Sequence, residues 1–306
     1  MRYLLYFVFC LFSIPILSAQ DGEYRNQILV GHDNDFFTRS DRYYSFGTWF
    51  NYSRALESDF IFRKEDDGVL QLNFSLFQAG YSPDELDERN TDVFDYPFSG
   101  WLSVSSEILK ANRKNLWGLQ LEAGVTGNAS LAGKLQIWYH DLLDFGDEPT
   151  WEAQIPGEFM LNLKGRYIAD FRLSEKGGAF FSLESNASLG TKDIFVQQGL
   201  TFSFGRRRTL HQSSLYNIIG NDQTEFFGYV GASYRYVAHN SLIEGSFLND
   251  NAPFTLDAET HLLFFKAGVT LNIKRSIFKV EYRANSKETP LARNHSFISL
   301  AFGRNF

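Results

Sequence analysis

Three stretches of this chain carry residues whose types and spacing could do chemistry. The first is Gly31-His32-Asp33-Asn34-Asp35-Phe36-Phe37, where two carboxylates and an amide occupy consecutive positions. Such hard oxygen donors suit a calcium-like ion. They lack the glycine and closing glutamate of an EF-hand, so taken alone they read first as an Asx-rich turn between strands. The second is 129–143, in which Leu131, Leu135, Trp138 and Leu142 recur at helical spacing and predict a short helix with one apolar stripe. Gln136 and His140 stand four apart and share a face of that helix. An imidazole presented there is a candidate general base, although a lone histidine is more often structural. The third is His211-Gln212-Ser213 beside Arg206-Arg207-Arg208, a His/Ser pair that reads better as a solvated turn. Asp84-Glu85-Leu86-Asp87-Glu88-Arg89 reads as a solvated loop in the same way. The sequence contains no G-x-S-x-G elbow, H-E-x-x-H, P-loop or paired-cysteine metal site.

The elements available to position these groups are strands. Phe159, Leu161, Leu163, Gly165, Tyr167, Ala169, Phe171 and Leu173 share one parity, while Asn162, Lys164, Arg166 and Asp170 hold the other. Leu263, Phe265, Ala267, Val269, Leu271 and Ile273 repeat the pattern. This period puts one set on lipid or core and the other on a polar interior. A soluble sandwich shares the period, but its strands average about five or six residues, whereas a transmembrane strand needs about nine to eleven. Several segments here are of the longer kind. They lie at 26–33, 41–55, 69–80, 97–109, 115–127, 157–173, 178–190, 193–205, 225–238, 261–273, 276–285 and 295–306, twelve in all. An even number is what a bacterial barrel with both ends in the periplasm requires. Ile298, Leu300 and Phe302 run in phase with the terminal Phe306, as in a strand delivered to the barrel assembly machinery. The expectation is an all-β, twelve-stranded antiparallel transmembrane β-barrel with a short helix in its third extracellular loop. With the first strand running outward, 33–42, 81–96 and 128–156 become the first outer loops. Two connections fit badly: 206–224 is long for a periplasmic turn and 191–192 short for an outer loop.

Composition narrows the class. A chain that is 17% aromatic and 44% hydrophobic has too much apolar surface for disorder, and a net charge of −7 argues against nucleic acid as a partner. Met1-Arg2, an apolar run from Leu4 to Leu17 and Ser18-Ala19-Gln20 have the layout of a signal peptide cleaved after Ala19. The division is therefore 1–19 signal peptide and 20–306 barrel domain. The only cysteine, Cys10, falls in the first part, so the exported chain holds together without disulfides. After Gln20 no stretch of eighteen apolar residues occurs, so any membrane crossing is by strands.

Asn34-Asp35-x-Phe37 followed by Asp41-Arg42-Tyr43-Tyr44-Ser45-x-Gly47 resembles the start of the outer-membrane lipid A 3′-O-deacylases. Tyr81-Ser82-Pro83, Asp95-Tyr96-Pro97-Phe98-Ser99-Gly100-Trp101 and Gly127-x-Ala129 are similar to later parts of that family. So are Gln136, His140, Trp151-x-x-Gln154 and Tyr236-Val237-Ala238-His239-Asn240 with Glu244-Gly245. The resemblance implies a carboxylic ester hydrolase that removes the 3′-acyloxyacyl chain of lipid A, with the site at the outer-leaflet end of the wall. It implies His140 as the base activating water, and Asn34 and Asp35 as the pair holding Ca2+. Ser45 keeps the hydroxyl of a usual threonine, and Arg89, Gln136 and Gln154 match substrate contacts. The sequence departs from the pattern at Phe46, usually asparagine, and at Asn128, usually proline. Arg89 is the one basic match in the second loop, with Glu88 beside it, and Gly146 stands near a familial glutamate with Asp147 and Glu148 close by.

The expected partners are lipid A or lipopolysaccharide as substrate, outer-membrane lipids, and the assembly machinery during biogenesis, with the protein a monomer. The alternative from another class is a non-catalytic barrel, porin-like or structural.

Overall fold

The computed structural model describes residues 24–306, apart from 39, 58–67, 145–147, 175–177, 221–222 and 250. The expected signal peptide lies outside the described residues. Twelve strands form a closed barrel in which each pairs antiparallel with its sequence neighbours. They are β1 (Asn26–Asn34), β2 (Tyr43–Ala55), β3 (Val69–Ser82), β4 (Ser99–Ala111), β5 (Asn115–Thr126), β6 (Phe159–Arg172), β7 (Phe180–Gly190), β8 (Asp193–Arg206), β9 (Glu225–Asn240), β10 (His261–Ile273), β11 (Ser276–Asn285) and β12 (His295–Asn305). The barrel closes where β1 meets β12, from Gln27↔Asn305 to Asn34↔Ile298. The helix α1 (Ala132–Leu143) follows β5, in the third outer loop.

Period two explains the wall. On β1, Gln27, Leu29, Gly31 and Asp33 point inward and are buried. On the neighbouring strands Phe50, Phe74, Leu76 and Val104 are exposed on the outside, as lipid-facing side chains must be. The lumen is crossed by ion pairs, among them Arg166–Glu107 and Lys164–Glu122 at 2.6 Å and Lys266–Glu184 at 2.9 Å. These pairs tie near-neighbour strands to one another across the inner face of the wall.

The two awkward connections are both real, and one corrects the sequence reading. A two-residue turn at 191–192 does link β7 to β8, with Asn162 Oδ1 accepting the Lys192 N–H at 3.1 Å. The long connection after β8 is not a solvated turn: it folds back into the periplasmic mouth. Leu210, Tyr216 and Ile218 pack with Leu109, Ala111, Leu116 and Ile168, and His211 and Ser213 are buried. The Arg207 guanidinium, fully buried, meets Asp170 at 3.0 and 3.2 Å. Asp170 comes from β6, which is why local composition around 207 gave no sign of burial. The 84–89 run is only partly solvated, since Leu86 is buried and Asp84 pairs with Arg42 at 2.7 Å.

Candidate active site

The site begins where β1 stops. Asn34 has the outward parity of Val30 and His32, yet it is buried, and so is Asp35. Asn34 Oδ1 accepts the Phe36 N–H at 2.8 Å, so the expected Asx turn is there. Asp35 ties the loop back on itself: its Oδ2 accepts the Arg42 N–H at 2.9 Å and the Ser40 hydroxyl at 3.1 Å. Burial first, and then the nearby charge of Asp41, push the Asp35 carboxyl up to about 9. β2 opens with Tyr43 in the left-handed region (φ 59) and a bulge between Tyr44 and Phe46, which breaks strict alternation at this rim.

Above this floor lies α1, held against the outside of the barrel. Gly100 lets it approach: a Cβ there would run into Ser130 Oγ and Ala132 Cβ. Gln78 Nε2 donates to the Ser130 carbonyl at 2.7 Å, pinning the segment before the helix to β3. Phe46, the departure from the familial asparagine, packs with Phe94, Phe98, Ala132 and Trp151 as an apolar floor under the first turn. The face turned to the wall is Ala132, Gln136 and His140, at positions i, i+4 and i+8. Leu131, Trp138 and Leu142, three of the four residues of the apolar stripe read from the sequence, are exposed instead.

Between floor and helix the polar groups converge. His140 Nε2 stands 2.8 Å from Asp41 Oδ2. Gln136 Nε2 donates to the other oxygen, Asp41 Oδ1, at 3.3 Å, and Trp151 Nε1 donates to Gln136 Oε1 at 2.9 Å. A chain Trp151–Gln136–Asp41–His140 thus fixes the imidazole from a loop 95 positions from Gln136. Asp41 is the residue that sequence reasoning missed. Its only signal was its place in the Asp41-Arg42-Tyr43-Tyr44-Ser45 run, next to the Asn34/Asp35 loop.

Of the expected site residues, His140 meets Asp41, Asp35 lies near enough to feel the charge of Asp41, and Asn34 precedes Asp35 at the end of β1. Gln136 is there with both ends of its amide engaged within the protein. Ser45 is buried in the bulge, its Oγ 2.6 Å from Ser82 Oγ. Gln154 Nε2 donates to Asn128 Oδ1 at 3.0 Å, so the asparagine that replaces proline has a partner. Arg89 stands outside the network, its exposed guanidinium 3.5 Å from Glu152.

Hard oxygens dominate this donor set. Among the described residues no cluster of three or more His, Cys, Asp or Glu side chains is arranged to hold a metal. A buried carboxylate met by backbone N–H groups and a hydroxyl, beside a second carboxylate, is the electrostatic setting that a bound cation relieves. Asn34 and Asp35 therefore fit an oxygen-preferring cation whose remaining ligands are water, backbone or substrate.

A closed, lipid-facing barrel with a histidine–carboxylate pair between its outer wall and a surface helix defines an outer-membrane β-barrel protein. Residues 4–306 match the family of the outer membrane protein LpxR. The chain belongs to that family, and so by class to the outer-membrane lipid A deacylases. The solved structure of LpxR from Salmonella typhimurium is similar over 92% of this chain and 100% of that one, with 20% identity and a TM-score of 0.76. The β domain of the Bordetella autotransporter BrkA is a more distant match, with 10% identity over 93% of this chain and 99% of that one and a TM-score of 0.45. No curated protein sequence matches.

Proposed function

We propose that this protein hydrolyses the ester that joins the 3′-acyloxyacyl chain to lipid A in the outer leaflet, with His140 as general base. The observation that carries the reading is the pair of the buried His140 on α1 and the partly exposed Asp41, in the loop between β1 and β2, at 2.8 Å. With Nε2–H directed at Asp41, the neutral ring carries its lone pair on Nδ1, the nitrogen that takes a proton from water. That water attacks the ester carbonyl, and the tetrahedral intermediate collapses to release the fatty acid. The proton held by His140 passes to the departing sugar 3′-oxygen. Ser45, buried in the same rim, is the candidate hydroxyl donor to the oxyanion. Asn34 and Asp35 would hold Ca2+, which when bound polarises the ester carbonyl. Asp41 acts through His140 as a positioning residue.

A channel is less well supported, because the 207–220 segment folds into the periplasmic mouth of the barrel.

The test is mass spectrometry of lipid A from cells making the wild type, His140→Ala or Asp41→Asn, with calcium or with chelator. Loss of one acyloxyacyl mass in the wild type, blocked by chelation and by His140→Ala, is the expected result. Unchanged lipid A in every sample, with the protein inserted, overturns the reading.

A further inference from the structure

The helix that carries His140 is polar on its protein side and apolar on its free side. Ala132, Gln136 and His140 face the wall, whereas Leu131, Trp138 and Leu142 are 48%, 56% and 46% exposed. At roughly 100° per residue, Leu131, Leu135, Trp138 and Leu142 fall within one quadrant of the helix. Lys134 and Asp141, also exposed, occupy the adjoining quadrant away from them. The free surface of α1 is thus split lengthwise into an apolar edge and a charged edge.

The barrel fixes which edge points where. Tyr139 borders the apolar quadrant, and its ring lies 6.4 Å from that of His32. His32 sits on β1 one outward-facing position nearer the membrane than Asn34. The apolar edge therefore points toward the membrane and the charged edge toward water. Further down the same strands the outward side chains are Val30, Phe50, Leu76 and Val104, the last three well exposed on the lipid-facing wall. Between that belt and the helix lies a single rung of outward side chains, His32, Thr48, Gln78 and Leu102. An aromatic at the rim and charges above it are what the interface between acyl chains and headgroups selects.

We infer that the Leu131–Trp138–Leu142 edge is immersed in the acyl-chain region of the outer leaflet, so that α1 lies at the lipid surface as an amphipathic helix. The inference rests on the barrel and the helix, and not on the reaction proposed above.

Site-directed spin labelling tests it directly, because the only native cysteine is Cys10. Single variants Leu131→Cys, Trp138→Cys and Leu142→Cys are labelled in vesicles of phosphatidylethanolamine and phosphatidylglycerol, after a heat-modifiability check of folding. Lys134→Cys serves as the aqueous reference and Val104→Cys as the lipid reference. Labels on the apolar edge are expected to be open to oxygen and closed to a water-soluble nickel chelate, as at 104. Nickel access as high as at 134 overturns the inference. So does protection from both reagents that disappears on dilution, which would mean a second copy covers the edge. Should a variant fail to fold, quenching by brominated acyl chains, taken as the difference between wild type and Trp138→Phe, decides on native residues: loss of quenching in Trp138→Phe supports immersion, and equal quenching overturns it.

Discussion

The two ends of this barrel bury charge in opposite ways. At the periplasmic end the Arg207 guanidinium meets Asp170 through two contacts, with Ser203 and Ser182 adding hydroxyls. Glu225 accepts the N–H groups of Arg208 and Ser214 at 2.9 Å each. Complement faces complement there, and the result is a closed mouth. At the outer end two carboxylates, Asp35 and Asp41, crowd one another, and the proton shared between solvent and Asp35 is held unusually tightly. Groups are brought together there that would separate if stability were the only criterion. Charge neutralised within the fold marks scaffolding, and charge left for something outside the fold to neutralise marks a working surface.

That contrast can be broken by mutation. His140→Ala is expected to lower deacylation by about 10²- to 10⁴-fold while leaving heat-modifiability unchanged; a large loss of stability would mean that the histidine is scaffolding after all. Arg207→Met is expected to do the reverse. It strands Asp170 and should cost about 3–5 kcal/mol of stability, read from urea unfolding in detergent, with residual folded protein still active. Asp35→Asn should weaken calcium binding by at least about 100-fold without destabilising the barrel, as terbium luminescence and unfolding midpoints together would show.

The same residue gives a pH effect in chelator. The folded loop keeps the Asp35 proton until about 9, against 3.8 for the ordinary group. Its contribution to loop stability is therefore full below the lower value and is lost as pH rises toward the upper one. A spin label on Phe36→Cys should loosen across that range in wild type and stay constant in Asp35→Asn; identical profiles would remove Asp35 as the cause. The smallest effect belongs to Gln136→Leu. It loses the hydrogen bond to Asp41 and leaves the Trp151 indole N–H without its acceptor, so turnover should fall about tenfold with KM little changed.

Much of the fold was legible because strand alternation and turn spacing are local properties. All twelve segments are strands, with ends displaced by at most a few residues, as at β2, which starts at Tyr43 after the 35–42 loop. The helix was legible from its repeat, but its orientation was not. An apolar stripe buries itself in protein only when the alternative is water, and on the outside of a membrane barrel the alternative is lipid. Asp41 and the 207–220 segment were illegible for a different reason. Their partners, His140 and Gln136 for one, Asp170 and Leu116 for the other, are brought in by barrel closure across long stretches of chain.

The seam between the first and last strands has a bearing on timing. Thr38, in the turn that follows Asn34 and Asp35, donates its hydroxyl to the Ser296 carbonyl on β12 at 2.7 Å, and β1 has β12 as one of its two neighbours. The loop that carries Asp35 and Asp41 thus leans on β12 across the seam. A barrel whose first and last strands have not yet met lacks that support, so the loop takes this arrangement only once the wall is closed.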